Sequence, residues 1–540
     1  MRKRSYTARH VVQATAPTKG PAGSAPRARV ARGALSTASM TLASNVIGLV
    51  RQMVFAWIYG AGEAMDAYLI ASVLSRMVFS AVDSAISTTL IPIYTELKQT
   101  SEDDAERFLS AVSGLVTVST ALLGFVFYLG APLLVRLLAP GFGPAESRLT
   151  ALLLRVMMPT LVFMGLSSVS VGFLQTKDVF GPPAAMYIPR NIVLVVLAAW
   201  IGHRFGVAVL AWGSLLGAIL QLYVVVRPLR RLGSSLRLRW QPHHPGIHTM
   251  LVRLPGVFAN YFMGSAALIV DRVLASGLHA GMISALNYAL LLTSFPLGVL
   301  AALATAVFPI FSEMAVAQAG SELSRALRMA LRLLVFLVAP ICFFTIFLRE
   351  PLVALVYAHG AFTTRAIEDT AYAVLFFSVG MISMAMNGVL SRAIFALGAT
   401  RVLFSSAGFN VGTTIVMDLI LIHPLQQGGL ALGTALGSWA STIVLLRFLA
   451  RNAEGFRMRP VLTDAIFSSL LASVAFGVVF AAYARLHGLS LPHGLIHIGL
   501  LLLVTFIVGA GLYLVLQQAF GQTRIRWRQL MREGLRAIGH

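Results

Sequence analysis

Residues 86–97 read ISTTLIPIYTEL and residues 303–314 read LATAVFPIFSEM. Each is an apolar run that closes on Pro, Ile, an aromatic, a hydroxyl residue and Glu, and the two copies lie 217 residues apart, Pro92 to Pro309. A second pair, PLLVRLLAPGF at 132–142 and PLVALVYAHGAF at 351–362, recurs at nearly the same offset. Two matches in register predict two homologous halves, so the fold is read from one half and copied to the other.

The surroundings of the repeat set the medium. The chain of 540 residues is 57% apolar and 11% charged, with a mean hydropathy of +0.81, whereas soluble domains carry about 25% charged residues. Apolar stretches long enough for a helix to cross a bilayer, roughly 20 residues, occur at 34–59, 67–94, 108–135, 150–174, 184–202, 205–226, 249–275, 283–312, 329–348, 369–397, 403–422, 428–449, 462–484 and 495–517. The expectation is an all-α polytopic membrane protein of about fourteen transmembrane helices. Six is an even number, so both halves enter the membrane from the same side and form a parallel repeat, with two helices added at the C-terminus. The predicted organisation is a basic disordered tail at 1–33, an N-terminal lobe at 34–226, a basic linker at 227–248, a C-terminal lobe at 249–450, an added helix pair at 451–517 and a basic tail at 518–540.

The net charge of +22 raises the question of nucleic acid, and its distribution answers it. With these boundaries the two termini and the even-numbered connections hold 27 of the 42 Lys and Arg residues. That is the positive-inside asymmetry; it predicts cytoplasmic termini whose basic residues contact anionic membrane lipids, with no nucleic-acid partner. The single Cys342 gives neither a disulfide framework nor a thiolate metal cluster. The stretch QPHHPGIH at 241–248 is read as a solvated loop, because Pro-rich coil fixes no ligand geometry, and no metal site is expected. No Walker-type Gly-x-x-x-x-Gly-Lys motif is present, so transport is expected to draw on an ion gradient, the membrane potential or the substrate gradient, with no cofactor.

Polarity inside the spans marks the candidate site, since an intramembrane charge costs about 3 kcal/mol or more unless compensated. Thr37, Thr41, Ser44, Gly48 and Arg51 share one face of the first helix, as do Ser72, Arg76, Ser80, Asp83 and Ser87 in the second. The seventh offers Asn260, Gly264, Ala267 and Asp271 beside Arg272; the eighth offers Asn287, Ser294, Gly298 and Thr305. The small residues suit close helix packing. Structural ion pairs, Arg76 with Asp83 or with Asp66, compete for the charged ones with a hydrated cationic cavity, to which Arg is suited because its planar fork grips phosphate bidentately. Arg155, Arg190, Arg253 and Arg392 are read mainly as snorkelling at helix ends. Asp66, Asp83, Asp271 and Asp418 are candidates for gating or ion coupling, or for balancing the arginines.

The segments SNVIGLVRQMVFAWIYGAGEAMDAYLIA (44–71), FPLGVLAALATAVFPIFSEMA (295–315), HGAF (359–362), LSRAIFALGATR (390–401) and QGGLALGTALGSW (427–439) together resemble the MurJ/MviN branch of the multidrug/oligosaccharidyl-lipid/polysaccharide exporter superfamily. The resemblance runs from about residue 35 to 450. It implies a lipid II flippase of a bacterial inner membrane: two six-helix lobes around a cavity, a groove at the last two helices for the polyprenyl tail, and cationic residues that hold the diphosphate-sugar headgroup. Carried over by position, Ser44, Gly48 and Arg51 match the family's first-helix motif, and Asp66 matches the aspartate after the Gly-Ala-Gly turn. The motif's first basic position is Asn45 here, the second-helix arginine falls near Val78 or Phe79 with Arg76 within a turn, and the eighth-helix arginine aligns with Leu291. Arg76 and Arg272 are the neighbouring charges that could stand in. The expected substrate-binding set is therefore Ser44, Asn45, Gly48, Arg51, Arg76 and Arg272. Alternative readings are a flippase for another polyprenyl-linked glycan, a cation-coupled drug exporter, and a membrane scaffold recruiting cell-wall synthesis proteins.

Overall fold

The Gly60-Ala61-Gly62 turn and its neighbours organise the whole molecule, because both halves meet there. The computed structural model of the chain describes residues 24–232, 239–241, 243–316, 320–487 and 494–520, with backbone only at 24–39, 41–42, 259–260, 299, 301–316, 320 and 486–487. In the first half α1 (Ser24–Tyr59), α2 (Glu63–Thr100), α3 (Glu102–Leu129), α4 (Ala131–Leu138), α5 (Pro144–Met157), α6 (Thr160–Thr176), α7 (Gly181–Ala185), α8 (Tyr187–Phe205) and α9 (Ala208–Arg231) follow in order. The second half has α10 (Pro245–Ser276), α11 (Met282–Val316), α12 (Gly320–Phe347), α13 (Arg349–Tyr357), α14 (Thr364–Ala396), α15 (Thr400–Leu425) and α16 (Gln427–Asn452), and α17 (Met458–His487) and α18 (Leu495–Phe520) complete the chain.

Among the described residues eleven helices are long and apolar enough to cross a membrane, or twelve if α5 and α6, bent by 42° at Pro159, make one span. The long helices α1 and α11 run through positions whose side chains lie outside the described residues. The fourteen predicted apolar stretches lie along α1 to α18, but the count of fourteen spans is not reached among the described residues, where eleven or twelve qualify. Helix α1 already begins at Ser24, so residues 24–33, assigned to the tail, continue the helix through an Ala- and Arg-rich segment of good helical propensity. Residues 1–23 and 521–540 lie outside the described residues.

The internal repeat appears as a repeated packing scheme. In the first half α1 packs on α8, α2 on α6, α3 on α6, α6 on α9 and α8 on α9. The second half repeats this with α10 on α15, α11 on α14, α12 on α14, α14 on α16 and α15 on α16. The short helices α4 and α13 are the repeated PLLV/PLVA segments. Each is followed by a turn and a new helix; Pro144 starts α5, where its missing N–H is harmless, and the Thr363 hydroxyl caps α14 by accepting from Ala366 N at 3.2 Å.

The distribution of buried apolar residues gives the shape. One core cluster is shared by the lobes, with Phe55, Met65, Tyr68 and Leu154 from the first and Ile283, Tyr288, Tyr357 and Phe362 from the second. Two further clusters belong to single lobes: Ile86, Leu90, Tyr94, Phe108, Val169 and Phe173 in the first, Leu331, Val335, Met381, Leu390 and Leu445 in the second. The lobes are thus fused at the end carrying the 60–62 turn and have separate cores toward the other. Helix α10 bridges this division. Its start is fastened to the first lobe, with Ile247 and Met250 in that lobe's own core and His244 accepting from Gly246 N at 3.1 Å, 3.4 Å from Asp104 and against the Phe108 ring. Its later part packs on α15 of the second lobe. His243 and His244 therefore sit at a helix start, and His244 works as its cap. Helices α17 and α18 lean on α12 and α13 from outside, through Phe344, Phe347, Phe476, Phe480 and Phe506.

Candidate functional site

At the fused end the contacts are backbone-close. Asp66, near the start of α2 and 2% exposed, accepts from the backbone N–H of Gly281 (2.8 Å) and of Ser284 (2.7 Å) and from the Ser284 hydroxyl. A carboxylate on the first N–H groups of α11 satisfies donors that the helix leaves open and complements its dipole. Around it, Tyr288 donates its hydroxyl to Gly60 O at 3.1 Å, Ala361 N donates to Trp57 O at 2.8 Å, and Gly141 N donates to the Ser276 hydroxyl at 3.2 Å. Gly60 holds φ +63°, and a Cβ there would stand 2.4 Å from Ala361 O, so conformation and proximity both require glycine.

Where the separate cores begin, the arginines gather. Arg76 of α2 is exposed between buried Ser75 and Met77, and it lies within electrostatic reach of Arg51 (α1), Arg190 (α8) and Arg272 (α10). These helices come from both lobes, so Arg76 faces the space between them. Arg51 donates from Nη1 to Asn191 Oδ1 at 2.9 Å and lies over the Phe55 ring at 5.6 Å. Arg272, 5% exposed, donates to Ile283 O at 3.2 Å, beside the Asp66 contact. None of the four forms an ion pair among the described residues, and the Nε atoms of Arg51, Arg190 and Arg272 are buried without a hydrogen-bond partner. The ion-pair reading of Arg76 with Asp66 or Asp83 therefore lacks its contact. Open guanidinium donors of this kind are chemically able to take an anion.

The other expected residues divide. Ser44 is buried, a Cβ on Gly48 would stand 3.9 Å from Asn191 Nδ2, and exposed Asn45 points at Gly298 of α11. Asp83, two turns beyond Arg76 on α2, looks instead toward Ser168 of α6 and Tyr187 of α8. Asp271 faces Asp418 of α15, which is fully buried; Asp271 Oδ1, both Asp418 oxygens and the Thr414 hydroxyl have no hydrogen-bond partner. Helix α16 closes on this pair through glycine, since a Cβ at Gly433 would fall 2.0 Å from Asp418 Oδ1. The side chains of Thr37, Thr41, Asn260, Thr305 and Glu313 lie outside the described residues. Arg190 is the residue that periodicity missed: read as a helix-end snorkeller, it packs its stem against Gly217 inside the first lobe. The available signal was its setting, Arg-Asn within the apolar run of α8.

Two lobes of repeated helix packing around a cationic site define a multi-pass membrane transporter of the exporter-superfamily fold. A solved structure of the lipid II flippase MurJ in an inward closed conformation matches with a TM-score of 0.78 at 22% identity, covering 92% of this chain and 99% of that one. An inward-facing multidrug resistance MATE transporter matches at 0.63, with 13% identity over 80% of this chain and 99% of that one. Residues 55–504 match the family model described as lipid II flippase MurJ, and the chain belongs to that family. A probable lipid II flippase MurJ of Buchnera aphidicola is 28% identical over 77% of this chain and 83% of its own length. The lipid II flippase MurJ of Burkholderia cenocepacia is 28% identical over 78% and 84% respectively.

Proposed function

We propose that this protein moves lipid II, the undecaprenyl-diphosphate-linked peptidoglycan precursor, from the inner to the outer leaflet of a bacterial cytoplasmic membrane, with both termini in the cytoplasm. The observation that carries the reading is the set of four arginines, drawn from both lobes, none of which forms an ion pair among the described residues, although Arg272 lies within electrostatic reach of Asp66 and Asp271. Lipid II presents the matching chemistry, a diphosphate on a saccharide, with a tail that stays in lipid. In this orientation the fused end is the outer gate and the lobes part toward the cytoplasm. The headgroup enters among Arg51, Arg76 and Arg272, which neutralise the diphosphate. The lobes then rock about the site, so that the Asp66 contacts release and the outer side opens.

The apolar flank of α17 and α18 is where the polyprenyl chain would lie, and anionic lipids would neutralise the basic ends. The Asp271 and Asp418 carboxylates face each other in a buried site, where two negative charges repel unless a proton or cation is held between them; this pair is our candidate for coupling to an ion gradient. Asp83 is a secondary candidate. The changed positions Asn45 and Leu291 favour one second reading, a flippase for another polyprenyl-diphosphate glycan.

The test is outer-leaflet accessibility of lipid II in bacteria depleted of their own flippase and expressing this chain, with Arg51→Ala in parallel. Accessible lipid II with the native chain and none with the variant is expected. Native protein that is stable in the membrane yet exposes no lipid II overturns the lipid II assignment.

A further inference from the structure

Arg190 and Asn191 are adjacent on α8, and one α-helical step of about 100° points them to neighbouring directions. Asn191, 7% exposed, accepts from Arg51 through Oδ1 at 2.9 Å, and its amide nitrogen faces Gly48. That single bond fixes one arm of the Arg51 fork and leaves the rest free. Arg190 is held from behind, its Cγ, Cβ and Cα lying 2.8 to 3.3 Å from where a Cβ on Gly217 would stand. Only glycine at that point of α9 lets the Arg190 backbone approach so closely. The groups that act on Arg190 are the phenols of Tyr68 on α2 and of Tyr187 one turn back on α8 itself, and its charge reaches Arg51 and Arg76. A fourth cation placed among three others, with its Nε buried and unbonded, weakens the empty protein. It is intelligible if an anion joins them.

We infer that Arg190 is a direct ligand of the substrate's phosphate anion, and that Asn191 is a positioning residue that turns Arg51 toward the same anion. The inference rests on the flippase reading and deepens it: this chain takes one of its headgroup cations from α8. The division of labour also follows from donor chemistry. Asn191 offers a neutral acceptor, which orients a guanidinium without cancelling its charge; a carboxylate at that place would do both.

The test uses the full chain in lipid nanodiscs, with lipid II as ligand and inorganic pyrophosphate as competitor. Arg190→Gln is expected to weaken lipid II binding about tenfold or more, as loss of a charge-assisted contact does, while Arg190→Lys stays within about threefold. Asn191→Asp is the discriminating variant. It keeps the acceptor for Arg51 and should leave thermal stability equal or higher, yet weaken binding about tenfold, because the new carboxylate neutralises Arg51. A purely structural role for Asn191 predicts native binding in that variant. Native affinity in both Arg190→Gln and Asn191→Asp overturns the inference; should Arg190→Gln fail to accumulate, Asn191→Asp decides alone. The flippase reading fails separately, if the native chain binds no lipid II. Pyrophosphate protection of the native chain against heat, lost in Asn191→Asp, then still reads the anion site.

Discussion

Asp66 and Ser284 lie 218 positions apart and meet through both the backbone N–H and the hydroxyl of the serine, so that one carboxylate of the first lobe caps the first turn of α11 in the second. Together with the Gly281 N–H this places three donors on one buried anion. The closed end of the molecule is thus locked by electrostatics at a helix terminus, on top of a shared apolar core.

Replacing Asp66 by Ala removes these bonds at once. Charge-assisted hydrogen bonds are worth about 1.5–3 kcal/mol each, and a loss of about 2 kcal/mol moves a two-state equilibrium some 25-fold. The expected outcome is a population with the fused end open. Spin labels at the exposed positions Glu63 and Thr364 should report a longer distance in Asp66→Ala than in the native chain; an unchanged distribution would remove Asp66 from the lock.

Arg76→Gln should separate stability from function. The substitution takes one positive charge out of a set of four whose members repel Arg76, so the empty protein is expected to melt a few degrees higher, while the stabilisation conferred by added lipid II shrinks. A lower melting temperature with a native response to lipid II would point to a structural role.

The Asp271–Asp418 pair predicts a matched phenotype from two unlike substitutions. Asp418→Asn removes one charge, and Gly433→Ala drives a methyl group into the Asp418 carboxylate, at an overpacking cost of about 1–3 kcal/mol. Both should make flipping in proteoliposomes indifferent to an imposed sodium or proton gradient that accelerates the native chain. Retained gradient dependence in either variant would dissociate the pair from coupling.

His244→Ala should loosen the start of α10 from the first lobe, losing the cap on Gly246 N, the Asp104 contact and the Phe108 packing. A loss of about 0.5–2 kcal/mol is expected from the cap. Hydrogen exchange at residues 245–250 should quicken, whereas exchange near Asp66 should not change.

The repeat made the two-lobed fold legible before any coordinates, because helices related by one offset bury equivalent faces and pack equivalently. Arg51 was legible as the charge on the polar face of α1, and Asp66 through the resemblance that places an aspartate after the Gly-Ala-Gly turn; its contacts with Gly281 and Ser284 were not. Arg190 was not. Helical periodicity tells which residues share a face of one helix, but which helices converge on a point is a tertiary fact, and nothing in α8 alone distinguishes an arginine reaching outward to the interface from one held inward by Gly217. The bend at Pro159 and the break before α4 were likewise merged into longer spans, since hydropathy continues across a kink, whereas α13 fell between two spans. The partnership of Asp271 with Asp418 needed α10 and α15 to be side by side, which the repeat implies only once α1 is seen against α8.

Helix α10 begins in the core of one lobe and ends against the helices of the other. Any rotation between the lobes must therefore be absorbed along its own length. Pro255, ten residues into the helix, interrupts its hydrogen-bond ladder. The missing bond makes this the place where the helix yields most readily, so the stiffness of one helical rod sets how easily its two bodies exchange orientations.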